Sequence, residues 1–102
     1  MVAAMLGTEM PPLSPRQEEI LRFMGTFFLE HRYYPTQAEI MQAIGVKSRA
    51  AMGYVSPMIL KGYLTNQDTP GVRGRTLRFT QLGLEKLERM GIVAGDQMDL
   101  FG

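Results

Sequence analysis

The chain has 102 residues, of which 45% are hydrophobic, and this length and composition allow one domain with a buried core. It contains no cysteine and one histidine, which excludes disulfides, thiolate catalysis and cysteine- or histidine-rich metal sites. The net charge of +1 hides an uneven distribution of charge along the chain. Residues 47–78 carry six basic residues and one acidic residue, while both flanking segments are net negative. Such a segment favours a polyanionic partner, although an ordinary solvated basic face is the alternative.

No segment approaches the roughly 20 consecutive apolar residues that a membrane-spanning helix needs, and the first residues lack the pattern of a signal peptide. We therefore expect a soluble protein of the cytoplasm. Residues 1–12 and 92–102 are expected to form flexible tails, which leaves one domain at residues 13–91.

Two capping signals predict the first two helices. Ser14 is followed by proline and, at the third position, by Gln17, which has the form of a capping box and predicts a helix from residue 15 to about His31. Thr36 and Glu39 form a second capping box, and the glycine at position 45 supplies a left-handed stop, so a short helix is predicted over residues 37–44.

A third helix is predicted from Ser48, which is placed to cap it, to Gly62, which ends it. Pro57 lies inside this pattern, where it removes a backbone donor and crowds the carbonyl of residue 53, at a cost of about 3 kcal/mol in a regular helix. We therefore expect a kink or a break between Gly53 and Pro57.

Residues 63–67 and 75–79 both have the alternating character of short strands, and the turn-forming segment between them is basic. They predict a β-hairpin with a basic tip. Thr80 is then placed to cap a last helix, which is expected to end at Gly91.

This order predicts a mainly α fold with a small β-hairpin, namely a winged helix-turn-helix with a three-helix core, a two-stranded wing and an additional C-terminal helix. In such a fold the helix capped by Thr36 offers free N–H groups to a phosphate, and the next helix fits the major groove of duplex DNA. The hairpin tip reaches the DNA backbone or the minor groove.

The segments LSPRQEEILRFM, YYPTQAEIMQAIG and KSRAAMGYVSPMILKGYL, followed by the hairpin, resemble the N-terminal DNA-binding domain of the LexA repressor family over residues 13–79. The resemblance implies a bacterial, plasmid or phage origin, binding of double-stranded DNA, and a recognition helix that contains Ser48, Arg49, Ala50, Met52, Gly53 and Tyr54. Together with the physical argument above, the predicted DNA-binding residues are Thr36, Gln37, Lys47, Ser48, Arg49, Ala50, Met52, Gly53, Tyr54, Arg73, Arg75 and Arg78.

The sequence departs from the family pattern in three ways. The segment from residue 45 to residue 62 is one residue shorter, and Pro57 interrupts the recognition element. The 102 residues also show no segment that resembles the family's protease and dimerisation domain, so we do not expect that domain here. LexA-like self-cleavage is therefore not implied, and residues 93–96, which resemble the family's Ala-Gly cleavage site, are better interpreted as a linker.

Several of these residues have a second interpretation. Arg49 and Tyr54 are placed either to contact bases or phosphates or to be solvated surface side chains. Arg73 and Arg75 flank the hairpin tip, where contact with phosphate or the minor groove is favoured, whereas Arg78 either contacts DNA or pairs with a carboxylate. No serine has a visible base partner, so we expect no enzymatic activity and no cofactor.

The tail carries a second motif. Gln97, Met98, Asp99, Leu100 and Phe101 resemble the pentapeptide by which bacterial replication and repair proteins bind the β sliding clamp, with methionine in place of the usual leucine. Leucine and phenylalanine would fill an apolar pocket, and glutamine would supply a directed hydrogen bond. The alternative is that these apolar side chains pack on the protein's own domain.

Three hypotheses follow for the function. The first is a DNA-binding regulator, or a replication or repair accessory factor, that also docks on the sliding clamp, and the second is a plain repressor with an incidental tail. The third is a protein-interaction module, or an inhibitor of the clamp pocket, that does not use DNA. The oligomeric state is left open by the sequence.

Overall fold

The computed structural model describes residues 10–67 and 75–92, and the structural statements below concern these two ranges. Within them the fold is mainly helical, with four helices and one two-stranded antiparallel sheet, which confirms the predicted winged helix architecture. The elements in chain order are α1 (Pro15–His31), α2 (Gln37–Ile44), a 3₁₀ turn (Ser48–Ala50), α3 (Ala51–Leu60), β1 (Leu64–Asn66), β2 (Leu77–Phe79) and α4 (Gln81–Arg89).

The predicted capping box at the start of α1 is present. The Gln17 backbone N–H donates to the Ser14 hydroxyl oxygen at 3.2 Å, and the Ser14 N–H donates to the Gln17 side-chain oxygen at 2.9 Å. The amide nitrogen of the same buried glutamine also donates to the Tyr54 carbonyl at 3.4 Å. Gln17 therefore both starts α1 and ties this helix to α3.

The third helix differs from the prediction at its beginning. Ser48 does not cap it with its side chain; instead Ser48 begins a 3₁₀ turn, in which the Ala50 N–H donates to the Lys47 carbonyl at 2.9 Å. A 3₁₀ turn satisfies one N–H group at a helix start by tightening the backbone, so the helix forms without a side-chain cap.

Of the two expected effects of Pro57, a kink or a break, the break does not occur, because α3 runs without interruption from Ala51 to Leu60. Pro57 has no N–H to donate to the Gly53 carbonyl, but Gly53 is exposed, so water can hydrate that carbonyl. On either side of the proline, Val55 and Met58 are fully buried, and their packing holds the helix in place.

The core lies where α1 packs against α2, α3 and α4. Gly25 lets α1 and α4 approach closely, since a Cβ atom at this position would lie 3.1 Å from a methyl carbon of Leu87. The large side chains that are fully buried come from all four helices and from both strand segments: Ile20, Leu21, Met24, Ile40, Met41, Val55, Met58, Tyr63, Leu64, Leu77, Phe79 and Leu87.

The wing is shorter than predicted but keeps the expected pairing. Its two strands are antiparallel, with Leu64 opposite Phe79 and both side chains buried. One further backbone bond, from the Gln67 N–H to the Thr76 carbonyl at 2.8 Å, extends the pairing beyond the strands. The wing is therefore attached to the domain by a buried apolar pair at its base.

The segment before α1 is held against the base of the wing. The Lys61 ammonium group donates to the Pro12 carbonyl at 2.6 Å, and the Tyr63 hydroxyl donates to the Pro11 carbonyl. Within residues 10–67 and 75–92, no helix combines the length and the apolar character needed to cross a membrane.

Candidate nucleic-acid interface

The two helices of the helix-turn-helix pair are joined by a tight turn. Gly45 has a φ of +80°, its N–H donates to the Gln42 carbonyl at 3.2 Å, and the Val46 N–H donates to the Met41 carbonyl at 3.0 Å. This is a Schellman arrangement, which needs a residue in the left-handed region and explains the glycine. Three residues later the 3₁₀ turn begins, so α3 starts close to the end of α2.

A surface of positively charged and uncharged side chains lies at the start of α3. Lys47, Ser48, Arg49, Met52 and Gly53 are exposed, whereas Ala50 and Tyr54 are half-buried. No aspartate or glutamate occurs between residues 45 and 67. The predicted recognition residues of the third helix therefore share one continuous stretch of chain, and it carries positive charge alone.

The predicted phosphate site at the start of α2 contains a carboxylate. The Glu39 N–H donates to the Thr36 hydroxyl at 3.0 Å, and the Thr36 N–H donates to Glu39 Oε1 at 2.8 Å, so the predicted capping box is present. The hydrogen bond from the Thr36 N–H, and then the Arg75 guanidinium, hold the pKa of Glu39 below its usual value. Gln37, the first residue of α2, is half-buried.

Arg75 contacts the helical part of the domain. Its Nη1 donates to Glu39 Oε1 at 2.9 Å and to the Tyr34 carbonyl at 3.0 Å, and its guanidinium carbon lies 4.8 Å from the centroid of the Tyr33 ring. Arg78, on β2, places its guanidinium carbon 5.1 Å from the centroid of the Tyr34 ring. Both arginines thus contact the connector between α1 and α2.

Burial also affects Tyr34 itself. Desolvation raises the pKa of its hydroxyl, an effect that the hydrogen bond with the Phe79 backbone and the charge of Arg78 partly oppose. The ring packs against Phe79 at a centroid distance of 5.7 Å. Tyr34 is therefore a neutral core residue that links the connector to β2.

Arg16 has a structural role that was not predicted from the sequence. Its Nη1 donates to the Ile44 carbonyl at 2.7 Å and to Glu19 at 3.0 Å, so it satisfies a carbonyl at the end of α2. The sequence gives no local signal for this bond, because the two residues are 28 positions apart. Arg16 helps to hold the first helix of the pair in place.

Two groups of predicted residues lie outside the described ranges. They are Arg73, in the segment between the strands, and the clamp-like motif at residues 97–101. Of the predicted DNA-binding residues that the structure does describe, it brings Lys47 to Tyr54 together at the start of α3. Thr36 and Gln37 lie at the start of α2, and Arg75 and Arg78 lie beside the connector that precedes it.

A three-helix core, a tight turn between α2 and α3 and a two-stranded wing define a winged helix-turn-helix domain, a fold that is typical of DNA-binding proteins. The model of one family, the LexA DNA binding domain, matches residues 10–72, which is more than half of the chain. The chain therefore belongs to the LexA DNA-binding domain family. β2 and α4 lie beyond the matched residues.

Curated relatives are LexA repressors. That of Pseudoalteromonas atlantica is 38% identical over 84 residues, which are 81% of this chain and 39% of the relative. The repressor of Leuconostoc mesenteroides is 36% identical over 71% of this chain and 34% of its own length, and that of Pseudomonas aeruginosa is 41% identical over 61% and 30%. The chain thus spans about a third of the length of these relatives. No solved structure gives a significant match.

Proposed function

We propose that the chain binds double-stranded DNA through its helix-turn-helix pair and wing, and that it acts as a LexA-like transcriptional regulator. The observation that supports this most directly is the start of α3, where Lys47, Ser48 and Arg49 are exposed and no acidic residue occurs from position 45 to position 67. Phosphates are the main source of affinity for a DNA-binding protein, and such a surface attracts them.

The residues have different roles in this proposal. Lys47 and Arg49 supply cations for phosphates or base edges. A phosphate is received at the start of α2 by the N–H groups that the capping box of Thr36 and Glu39 does not use, beginning with that of Gln37. The small or uncharged residues of the 3₁₀ turn and of the start of α3 would then face the major groove. They are Ser48, Ala50, Met52, Gly53 and Tyr54.

The salt dependence of binding tests the proposal. We expect binding to duplex DNA to weaken steeply as salt rises, because each neutralised phosphate releases counterions. Arg49→Gln is expected to lower the affinity by about threefold to tenfold and to reduce the slope of log K against log salt by roughly one. Fluorescence anisotropy with a labelled duplex measures both quantities.

Arg22→Gln is the matched control, since it makes the same change of charge at an exposed position on α1. It should leave the slope close to that of the unmodified chain. If binding is insensitive to salt, or if both variants change the slope equally, the proposed surface is wrong.

We further propose, as a second function, that residues 97–101 dock on the bacterial β sliding clamp. Four of the five positions of QMDLF match the usual form of the clamp-binding peptide, and this match supports the proposal. The protein would then join a DNA site to the clamp, and each binding event would raise the effective concentration for the other.

A pull-down with purified clamp tests the second function. We expect the chain to be retained and the same chain without residues 97–102 to be lost. Leu100→Ala combined with Phe101→Ala should also abolish retention, while the melting temperature and the affinity for duplex DNA stay unchanged. A large fall in melting temperature would show instead that the two side chains belong to the core of this protein.

The anisotropy titration and the clamp pull-down together test the remaining alternative, a protein that binds the clamp without using DNA. A chain that is retained by the clamp but binds no duplex at any salt concentration would be a protein-interaction module or an inhibitor of the clamp pocket.

A further inference from the structure

Arg75 joins the beginning of the second wing strand to the helical core. Its side chain is 29% exposed, and its Nη1 is shared between Glu39 Oε1 at 2.9 Å and the Tyr34 carbonyl at 3.0 Å. The guanidinium also lies over the Tyr33 ring. Three contacts from one side chain therefore hold this end of the wing to the connector that leads into α2.

The acceptor of this ion pair belongs to the cap of α2. Glu39 Oε1 receives the Thr36 N–H as well as Arg75, so the group that fixes the first turn of the helix also fixes the wing. A two-stranded sheet is only marginally stable on its own, and its orientation therefore depends on side-chain contacts with the rest of the domain.

We propose that Arg75 is a positioning residue, which sets the orientation of the wing relative to the first helix of the helix-turn-helix pair and affects DNA binding through that geometry. The proposal rests on the DNA-binding function above. In this role Arg75 binds Glu39 within the protein, instead of contacting a DNA phosphate directly as the sequence predicted.

The two roles predict opposite effects of a change at Glu39. If Arg75 contacts phosphate, the Glu39 carboxylate competes with DNA for the guanidinium, and removing its charge strengthens binding. If Arg75 positions the wing, removing the charge weakens the ion pair and weakens binding. Glu39→Gln is the suitable change, because its amide oxygen can still accept the Thr36 N–H and keep the cap.

The experiment is an anisotropy titration of the full chain with duplex DNA at several salt concentrations. Arg75→Gln and Glu39→Gln are each expected to weaken binding between about twofold and about tenfold, and the double variant to weaken it no further than the stronger single change. The salt slope of Arg75→Gln should equal that of the unmodified chain. Glu88→Gln, at an exposed position on α4, is the control for the general effect of losing one negative charge.

Two results would overturn the proposal. One is that Glu39→Gln favours binding more in the unmodified chain than in the Arg75→Gln background, a comparison that holds the repulsion between Glu39 and a phosphate at α2 constant. The other is a salt slope that falls by roughly 0.9 in Arg75→Gln, as the loss of one phosphate contact requires. Arg75→Lys adds a milder test, because lysine still brings one positive charge to a phosphate but cannot stack a planar guanidinium on the Tyr33 ring. A binding loss in Arg75→Lys is therefore expected.

Hydrogen exchange gives a readout that does not depend on DNA. The Gln67 N–H donates to the Thr76 carbonyl, next to Arg75, and its exchange should be faster in Glu39→Gln than in Glu88→Gln. If the unmodified chain binds no duplex, the proposed function fails, and this measurement alone decides whether the ion pair orders the wing. Equal exchange in both variants would contradict the positioning role.

Discussion

Glu39 has two partners of different kinds, a backbone N–H within its own helix cap and a guanidinium from the wing. Both favour the charged form, which is why its pKa is lowered. A carboxyl group whose pKa is lower in the folded chain than in the unfolded chain stabilises the fold above its unfolded pKa. This contribution is lost as the pH falls through the lowered value.

The stability difference between the unmodified chain and Glu39→Gln should therefore shrink as the solution is acidified. Above the unfolded pKa we expect a difference of at most about 1 kcal/mol, because the Glu39 side chain is 40% exposed and solvent screens the pair. Urea unfolding at a series of pH values measures it. A difference that stays constant with pH would mean that the charge of Glu39 does not stabilise the fold.

At the scale of the elements, two glycines inside helices have opposite surroundings. A Cβ atom at Gly83 would lie 2.3 Å from the Tyr63 carbonyl oxygen, so α4 can pack this closely against the wing base only with glycine there. A Cβ atom at Gly53 would have no atom within 4 Å apart from its own helix backbone, and the φ of this residue is not positive.

The same substitution at these two sites should therefore change stability in opposite directions. Gly83→Ala is expected to destabilise the domain by about 1–3 kcal/mol or more, because a backbone atom must move. Gly53→Ala is expected to stabilise it by roughly 0.5–1 kcal/mol, because alanine loses less entropy in a helix. Chemical denaturation of both variants checks this. A neutral effect of Gly83→Ala would contradict the close packing of α4.

At the scale of the whole molecule, the charge is divided between elements. The turn before α3 carries Lys47 and Arg49 without an acidic residue, and α3 itself is uncharged. By contrast, α1 carries three glutamates against two arginines, and the two glutamates of α4 balance its lysine and arginine. This division orients a proposed DNA duplex toward α3.

The elements that could be predicted are those whose signals are local. Ser14 with Gln17, and Thr36 with Glu39, are each three residues apart, and both capping boxes form as predicted. The prediction of a break at Pro57 failed because contacts with other elements decided the outcome. Pro57 disfavours a regular helix, but the buried side chains of Val55 and Met58 keep α3 continuous.

The candidate site, too, was predictable where its signals are local and not where they depend on contacts between distant residues. The composition of residues 47–54 is visible in the sequence, and the structure exposes most of these side chains at the start of α3. The partners of Arg75 were not predictable, because Glu39 is 36 positions away and Tyr34 is 41.

The sequence by itself determined the order of the helices, the caps of α1, α2 and α4, the two-stranded wing and the segregation of charge, because each depends on residues within a few positions of one another. The tertiary structure alone decided that Arg75 faces Glu39, that Arg16 supports the end of α2 and that Pro57 lies in an unbroken helix. These features depend on which elements pack together, and the free energy of that packing outweighs local preferences.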